Sequence, residues 1–434
     1  MNAAIHQADG LARNARACAD GPRILVFTSV YPNSVQRNFG LFVRARMSRV
    51  GALLPMVVVA PVAWFPLLGL IRLVKPNFRP AVPYFEVQDG IEVYHPRFFS
   101  IPGYFKFLDG FFLALGSVST LLRIRKSFDF DIIDSHFVFP DGHAASLLSQ
   151  WLKRPFTVTL RGQIAALSTT TMRKYLSLGA LRRAAKVFSV SESLRQGAIA
   201  MGESAEHIRV IGNGVDLDNF AREDQNQSRA RLGLPGEARI LISVGGLTER
   251  KGFHRVIATL PELLAKFPDL HLVIAGGPSP EGDWEQKLKR QVVELGVEGA
   301  VHFLGPVAPA ELRYVYSAGD VFVLATRMEG WANVFLEAMA CGLPVVTTLV
   351  GGNAEVVSSP DFGILVPYGD GNALRDALAT ALSDDWDREA IIAYAKSNAW
   401  STRIPILIEE FSRIDQAASS IERGDPVVNS WRDT

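Results

Sequence analysis

Short apolar runs alternate along this chain with longer stretches that carry apolar residues at helical spacing. In the first half the runs Arg23–Ser29, Met56–Ala60, Asp131–Phe137, Phe156–Leu160, Lys186–Val190 and Arg209–Ile211 read as strands. In the second half the runs begin at Ile240, Leu270, Val301, Val321, Val345 and Ile364. Most end in Gly, Ser or Thr and lead into helical text. Strand, helix, strand, repeated, predicts parallel α/β architecture. The pattern breaks once: Asn213-Gly214 reads as a turn and residues 216–236 are polar and charged. The expected plan is a flexible extension over 1–22, a first doubly wound domain over 23–212, a second over 213–385, helices over 386–417 and a tail over 418–434.

The stretch Val321–Val346 concentrates the candidate chemistry. Val321–Ala325 reads as a buried strand, Arg327, Met328, Glu329 and Gly330 as a turn, and Val334–Cys341 as a helix with Asn333 as its N-cap and Gly342 beyond its end. A helix that starts at the carboxyl edge of a parallel sheet presents unpaired N–H groups and the positive end of its dipole, which attract phosphate. The backbone of Gly330, Trp331, Ala332, Asn333 and Val334 is the expected cradle. Glu329 before the helix and Glu337 inside it can each accept from vicinal hydroxyls, such as a ribose diol.

Composition narrows the classes. The chain has 434 residues, 48% of them hydrophobic, enough for two or three domains with large cores. The cysteines Cys18 and Cys341 leave no disulfide framework and no Cys-rich zinc site, which fits a reducing cytoplasmic setting. Residues 1–22 hold Arg13 and Arg16 but no apolar core of a signal peptide. The first strand is followed by neither GxGxxG nor a P-loop, which lowers nicotinamide and ATPase readings.

Charge changes the picture more. Net charge is +1 overall. Residues 1–210 nevertheless hold 25 Lys+Arg against 13 Asp+Glu, and the remainder 20 against 31. The basic half expects an anionic partner. Aromatic residues such as Trp64, Phe65, Phe78, Tyr104, Phe105 and Phe107 interleave with Arg72, Lys75, Arg79, Arg97 and Lys106 between 61 and 126. Two readings stand: a core with snorkelling edges, or a surface that dips into an anionic leaflet. The uncharged run 51–71 is long enough to span a bilayer, yet Pro55, Pro61 and Pro66 interrupt it, so a strand followed by an apolar loop is expected.

EGWANVFLEAMACGLPVV from Glu329, with Gly351-Gly352-Asn353-Ala354-Glu355 after it, resembles the donor-site signature of retaining glycosyltransferases of family 4. IGNGVD at Ile211, LISVGGLTERKGF and Ser29-Val30-Tyr31-Pro32 resemble three further signatures, so the resemblance covers most of residues 23–400. It implies the GT-B layout: two Rossmann-like domains facing across a cleft, with the last helices crossing back to the first domain. It implies that Glu329 contacts the donor sugar and Glu337 the nucleotide ribose. Lys251 then neutralises the diphosphate, and His136 touches the donor sugar unless it is a satisfied structural group. The loop at Gly40 precedes a helix, so on its own residues it either cradles an anion or simply turns the chain; the resemblance makes it a mobile loop that closes over the donor diphosphate. Gly246 stands where the family has Arg, and Arg250 is the expected substitute. Asp141 and Arg161 are the candidates for binding the acceptor.

The resemblance further implies front-face transfer of a hexose from a UDP- or GDP-linked sugar, without metal or cofactor. Asp129-Phe130-Asp131 and Asp216-Leu217-Asp218 spell DxD, but neither ends a strand, so no metal role is expected. The acceptor is expected to be a lipid-linked glycan or polysaccharide in cell-surface glycan synthesis. The chain would then sit peripherally on the inner face of the cell membrane, with no nucleic acid as partner. A sugar-nucleotide epimerase of the same layout and a scaffold with a decayed site are the alternatives.

Overall fold

The computed structural model describes residues 21–75, 78–162, 171–279 and 281–423. Most of the expected N-terminal extension and the end of the expected tail lie outside these. The chain divides into two compact units, one taking the chain up to Gly212 and again from Ile404, the other running Asn213–Arg403.

Among its described residues the first unit holds ten strands: β1 (Ile24–Phe27), β2 (Met56–Val59), β3 (Val62–Trp64), β4 (Phe85–Gln88), β5 (Ile91–Tyr94), β6 (Arg97–Phe99), β7 (Ile132–His136), β8 (Phe156–Leu160), β9 (Lys186–Ser189) and β10 (Ile208–Val210). Eight form one sheet in the order β10-β9-β8-β7-β1-β2-β5-β4, parallel except for the β4–β5 hairpin. Strands β1, β7 and β8 are buried along their whole length, which is why they read as unbroken apolar runs. β3 and β6 pair apart from this sheet, parallel, with Trp64 opposite Phe99. The run 51–71 therefore differs from expectation. After β2 it supplies β3 and a short helix, Leu68–Val74, because Pro66 ends the strand and the residues after it are free to turn.

The second unit holds β11 (Arg239–Val244), β12 (Leu270–Ala275), β13 (Val301–Gly305), β14 (Val321–Leu324), β15 (Val345–Thr348) and β16 (Gly363–Val366). All are parallel in the order β13-β12-β11-β14-β15-β16. Both units are Rossmann-like, doubly wound α/β domains.

The C-terminal helix Trp400–Arg423 runs past the expected end at 417, since nothing in Ala418–Ile421 breaks a helix. From Ile404 onward it belongs to the first unit. Ile404, Leu407, Phe411 and Ile414 form a buried stripe at helical spacing, Phe411 packs edge-on against Phe188 at 5.9 Å, and Glu410 pairs with Arg209.

Candidate active site

In the second unit the turn after β14 and the turn after β11 meet over one carboxylate. Lys251 Nζ lies 2.6 Å from Glu329 Oε1 and an Arg250 guanidinium nitrogen 2.9 Å from the same oxygen. Thr326 Oγ1 donates to it at 3.3 Å. Arg250 also grips Glu281 with two nitrogens, at 2.7 and 2.9 Å, and donates to the Met328 carbonyl. These carboxylates hold the Arg250 charge firmly, against the opposing effect of burial. Glu281, held in the bidentate geometry that suits guanidinium, gave no sequence signal. A side chain at Gly246 would press on Ser279, its Cβ falling 3.0 Å from that of the serine. Arg250 and Lys251 are both cations of this turn, and the two carboxylates that hold Arg250 are anions already paired to it.

The helix Asn333–Ala340 starts one residue earlier than expected. Ala332 is the N-cap and Asn333 the first helical residue, its side-chain oxygen accepting from Asn213 at 3.0 Å. Asn333 fails as a cap because that oxygen is used elsewhere. No side chain caps the helix. Its first N–H groups, at Asn333 and Val334, therefore keep their affinity for an anion. The Trp331 indole N–H, in the same turn, is buried without a partner among the described residues. Gly351 fixes the turn from the far side: its φ is +49°, and a Cβ there would come within 1.9 Å of the Glu329 carbonyl oxygen.

Glu337 lies one turn into the helix and accepts from the Tyr316 hydroxyl at 2.9 Å. Burial pushes its carboxyl up to about 7, opposed by Tyr316 and Lys251. Tyr316 is fully buried, wedged between Phe220 and Phe322. Nothing in the sequence marked it, since a tyrosine ahead of an apolar run reads as core.

In the first unit the strand ends collect a second group. His136 closes β7 and is fully buried. Arg161, just past β8, donates from Nε to His136 Nδ1 at 3.1 Å and stacks over Phe42. Burial, then Arg161 and Arg46, hold the imidazole well below its usual range. With Nδ1 accepting from Arg161, a neutral ring carries its proton on Nε2, which is buried 3.4 Å from Asp134 Oδ2 without a hydrogen-bond partner among the described residues. His136 is thus a donor rather than a base. Arg161 is itself nearly enclosed, and burial pulls it well below its ordinary range.

Asp141 follows in the turn after β7. Its Oδ2 accepts from the Ser29 N–H at 2.9 Å and from Thr28 Oγ1 at 3.2 Å, while Oδ1 has no partner among the described residues. Burial raises this carboxyl to about 7. Gly40, with φ +78°, heads the helix Leu41–Gly51; a Cβ there would come 2.5 Å from the Val30 carbonyl oxygen. That close approach sets the loop after β1 against the helix start.

Three of the four DxD carboxylates are engaged otherwise. Asp129 pairs with Arg125 and Arg154, Asp131 with Arg23, and Asp216 accepts within its own turn. Among the described residues no group of three or more His, Cys, Asp or Glu could hold a metal ion.

Residues 224–398 match the family model for group 1 glycosyl transferases, and residues 72–219 the model for glycosyltransferase family 4. A D-inositol 3-phosphate glycosyltransferase of Corynebacterium urealyticum is 32% identical over 325 residues, covering 68% of this chain and 74% of that one. TuaC of Bacillus subtilis, named for teichuronic acid biosynthesis, is 27% identical over 395 residues, covering 88% and 91%. Among solved structures, sucrose-phosphate synthase from Thermosynechococcus elongatus superposes with a TM-score of 0.66 at 20% identity, covering 93% of this chain and 98% of that one. Anabaena HepE in complex with UDP-glucose gives 0.62 at 20% identity, covering 92% and 99%.

Proposed function

This chain belongs to glycosyltransferase family 4, and from that premise we propose that it moves a hexose, with retention, from a UDP- or GDP-linked sugar to a lipid-linked or polysaccharide acceptor in cell-surface glycan synthesis. The carrying observation is the cluster of Lys251, Arg250 and Glu329 beside the uncapped start of the helix that carries Glu337. The UDP-glucose complex of the HepE neighbour supports the donor class.

The chemistry asked of the protein is mostly electrostatic. The bond from the anomeric carbon to the diphosphate breaks. The acceptor oxygen bonds to the same face, and its proton passes to the departing diphosphate. Lys251 and the N–H groups of Asn333 and Val334 stabilise the charge that develops there. Glu337 takes the ribose hydroxyls and Glu329 the hexose. The neutral His136 donates from Nε2 to a sugar hydroxyl, and Asp141 and Arg161 serve the acceptor side. No step calls for a metal or cofactor.

An anionic, lipid-linked acceptor at the cytoplasmic face of the membrane fits the basic first half, whose residues 142–191 contain no acidic side chain. The experiment is a thermal-shift series with UDP-, GDP- and ADP-sugars. A donor at 100 times its Kd stabilises by about 2.7 kcal/mol, so one base should raise Tm clearly above the others. Cooperative unfolding with no shift from any sugar nucleotide would overturn the donor assignment.

A further inference from the structure

The helix Leu68–Val74 is inside out. Leu68 and Arg72, one turn apart, face the protein: Leu68 is buried, and Arg72 donates to the Arg79 carbonyl. Leu70, Leu73 and Val74 lie on the opposite side, with Leu73 80% and Val74 82% exposed. Leu67, just before the helix, is 71% exposed. Such a face is costly in water and marks a surface that something covers.

A second apolar tip is tied to it. Arg79 donates to the Ser100 carbonyl, Lys106 to the Ser100 hydroxyl at 2.9 Å, and the Ser100 N–H to the Trp64 carbonyl at 2.9 Å. These bonds fix the turn that carries Tyr104 and Phe105, 68% and 63% exposed, to the base of the helix.

We propose that these two tips, Leu67–Val74 and Tyr104–Phe105, insert together into the headgroup region of an anionic bilayer. The inference rests on the membrane acceptor proposed above and names the surface that meets the lipid.

Charge selects this occupant. Arg72, Lys75, Arg79 and Lys106 lie in or beside the two tips along the chain, Lys106 paired with Asp109 at 3.0 Å. No acidic residue occurs between Asp20 and Glu86, or between Glu92 and Asp109. A second copy seated on this face would set cations against cations. An anionic leaflet supplies both the missing negative charge and an apolar layer. A helix of seven residues is about 10 Å long and lies in the interface rather than spanning it. Aromatic tips beside aliphatic ones suit the boundary between headgroups and acyl chains.

The test uses the full chain with vesicles of phosphatidylcholine alone, or mixed with phosphatidylglycerol, at low and high salt. Leu70→Gln with Leu73→Gln removes apolar surface without touching charge. The wild-type chain should co-sediment with the mixed vesicles, less so at high salt. The double variant should bind at least about tenfold more weakly, with Tm and hydrolysis of the nucleotide sugar unchanged. Equal binding by variant and wild type would overturn the insertion face and leave the membrane reading standing. A wild-type chain that binds neither vesicle would overturn both. If the variant instead turns a lipid-free dimer into a monomer, the face belongs to a second copy and the inference falls.

Discussion

Glu337 shows how burial moves the working range of a carboxylate, with the Tyr316 hydroxyl opposing the shift. Only the ionised form accepts two ribose hydroxyls, and burial has moved this group up to about 7. Nucleotide affinity should therefore rise with pH through that region. Glu337→Ala should weaken nucleotide binding by about 1–3 kcal/mol in calorimetry. Tyr316→Phe keeps the ring packing and removes a hydrogen bond that favours the ionised form. Its affinity profile should shift to higher pH, with little loss at pH 9. An unmoved profile would make Tyr316 a packing residue only. Lys251→Ala, by removing a cation from the leaving group, should lower kcat by about 10²–10³, measured at saturating donor. If only Arg250→Ala has that effect, the charge role belongs to Arg250.

At the scale of elements, Asp141 joins the end of β1 to the turn after β7, through the Ser29 N–H and Thr28 Oγ1. Burial raises its carboxyl in the folded chain to about 7, above the ordinary aspartate range. The protonated form is thus favoured by folding. Its contribution to stability is greatest in acid, falls as pH climbs from about 4 to 7, and is flat above. The loss between pH 5 and 8 is on the order of 2 kcal/mol. Asp141→Asn keeps an oxygen for both donors and cannot ionise, so its denaturation midpoint should fall less over that range. Asp134 and Glu337 are shifted in the same direction, so the slope should shrink rather than vanish. A variant with the parent's slope would sink this account.

Elements of this kind were largely legible in the sequence. Strands buried on both faces announce themselves as unbroken apolar runs; all six strands of the second sheet and six of the eight in the first followed from those, whereas β4 and β5, mostly uncovered, did not. The Glu329 turn and the helix carrying Glu337 were legible because a strand, a turn and a helix follow one another locally. The partners that tune them were not. Glu281 reaches Arg250 across 31 positions and Tyr316 reaches Glu337 across 21, and no local pattern encodes a contact of that length. The exposed helix Leu68–Val74 was missed because leucines on the outside of a helix look the same as leucines on the inside until the chain is folded.

For the molecule as a whole, the end of the chain completes the beginning. Phe411 is fully buried against Phe188. Phe411→Ala should cost about 3–5 kcal/mol, read as a lower urea midpoint for the first unit, while unfolding of the second unit moves little. Equal loss in both units would contradict the division. The same helix also bears on the order of synthesis. Domains are generally made and folded from the N-terminus onward, at about 5–20 residues per second. Here the sheet of the first unit leaves the ribosome with Phe188 uncovered, and its covering helix is translated only after the whole second unit. The earlier part must wait while the later part folds, for roughly 10–40 s at those rates. A ribosome that stops anywhere in that last helix releases every donor-site residue in place and a first unit with an open core. Such a product is a substrate for chaperones and proteases rather than for sugar nucleotides.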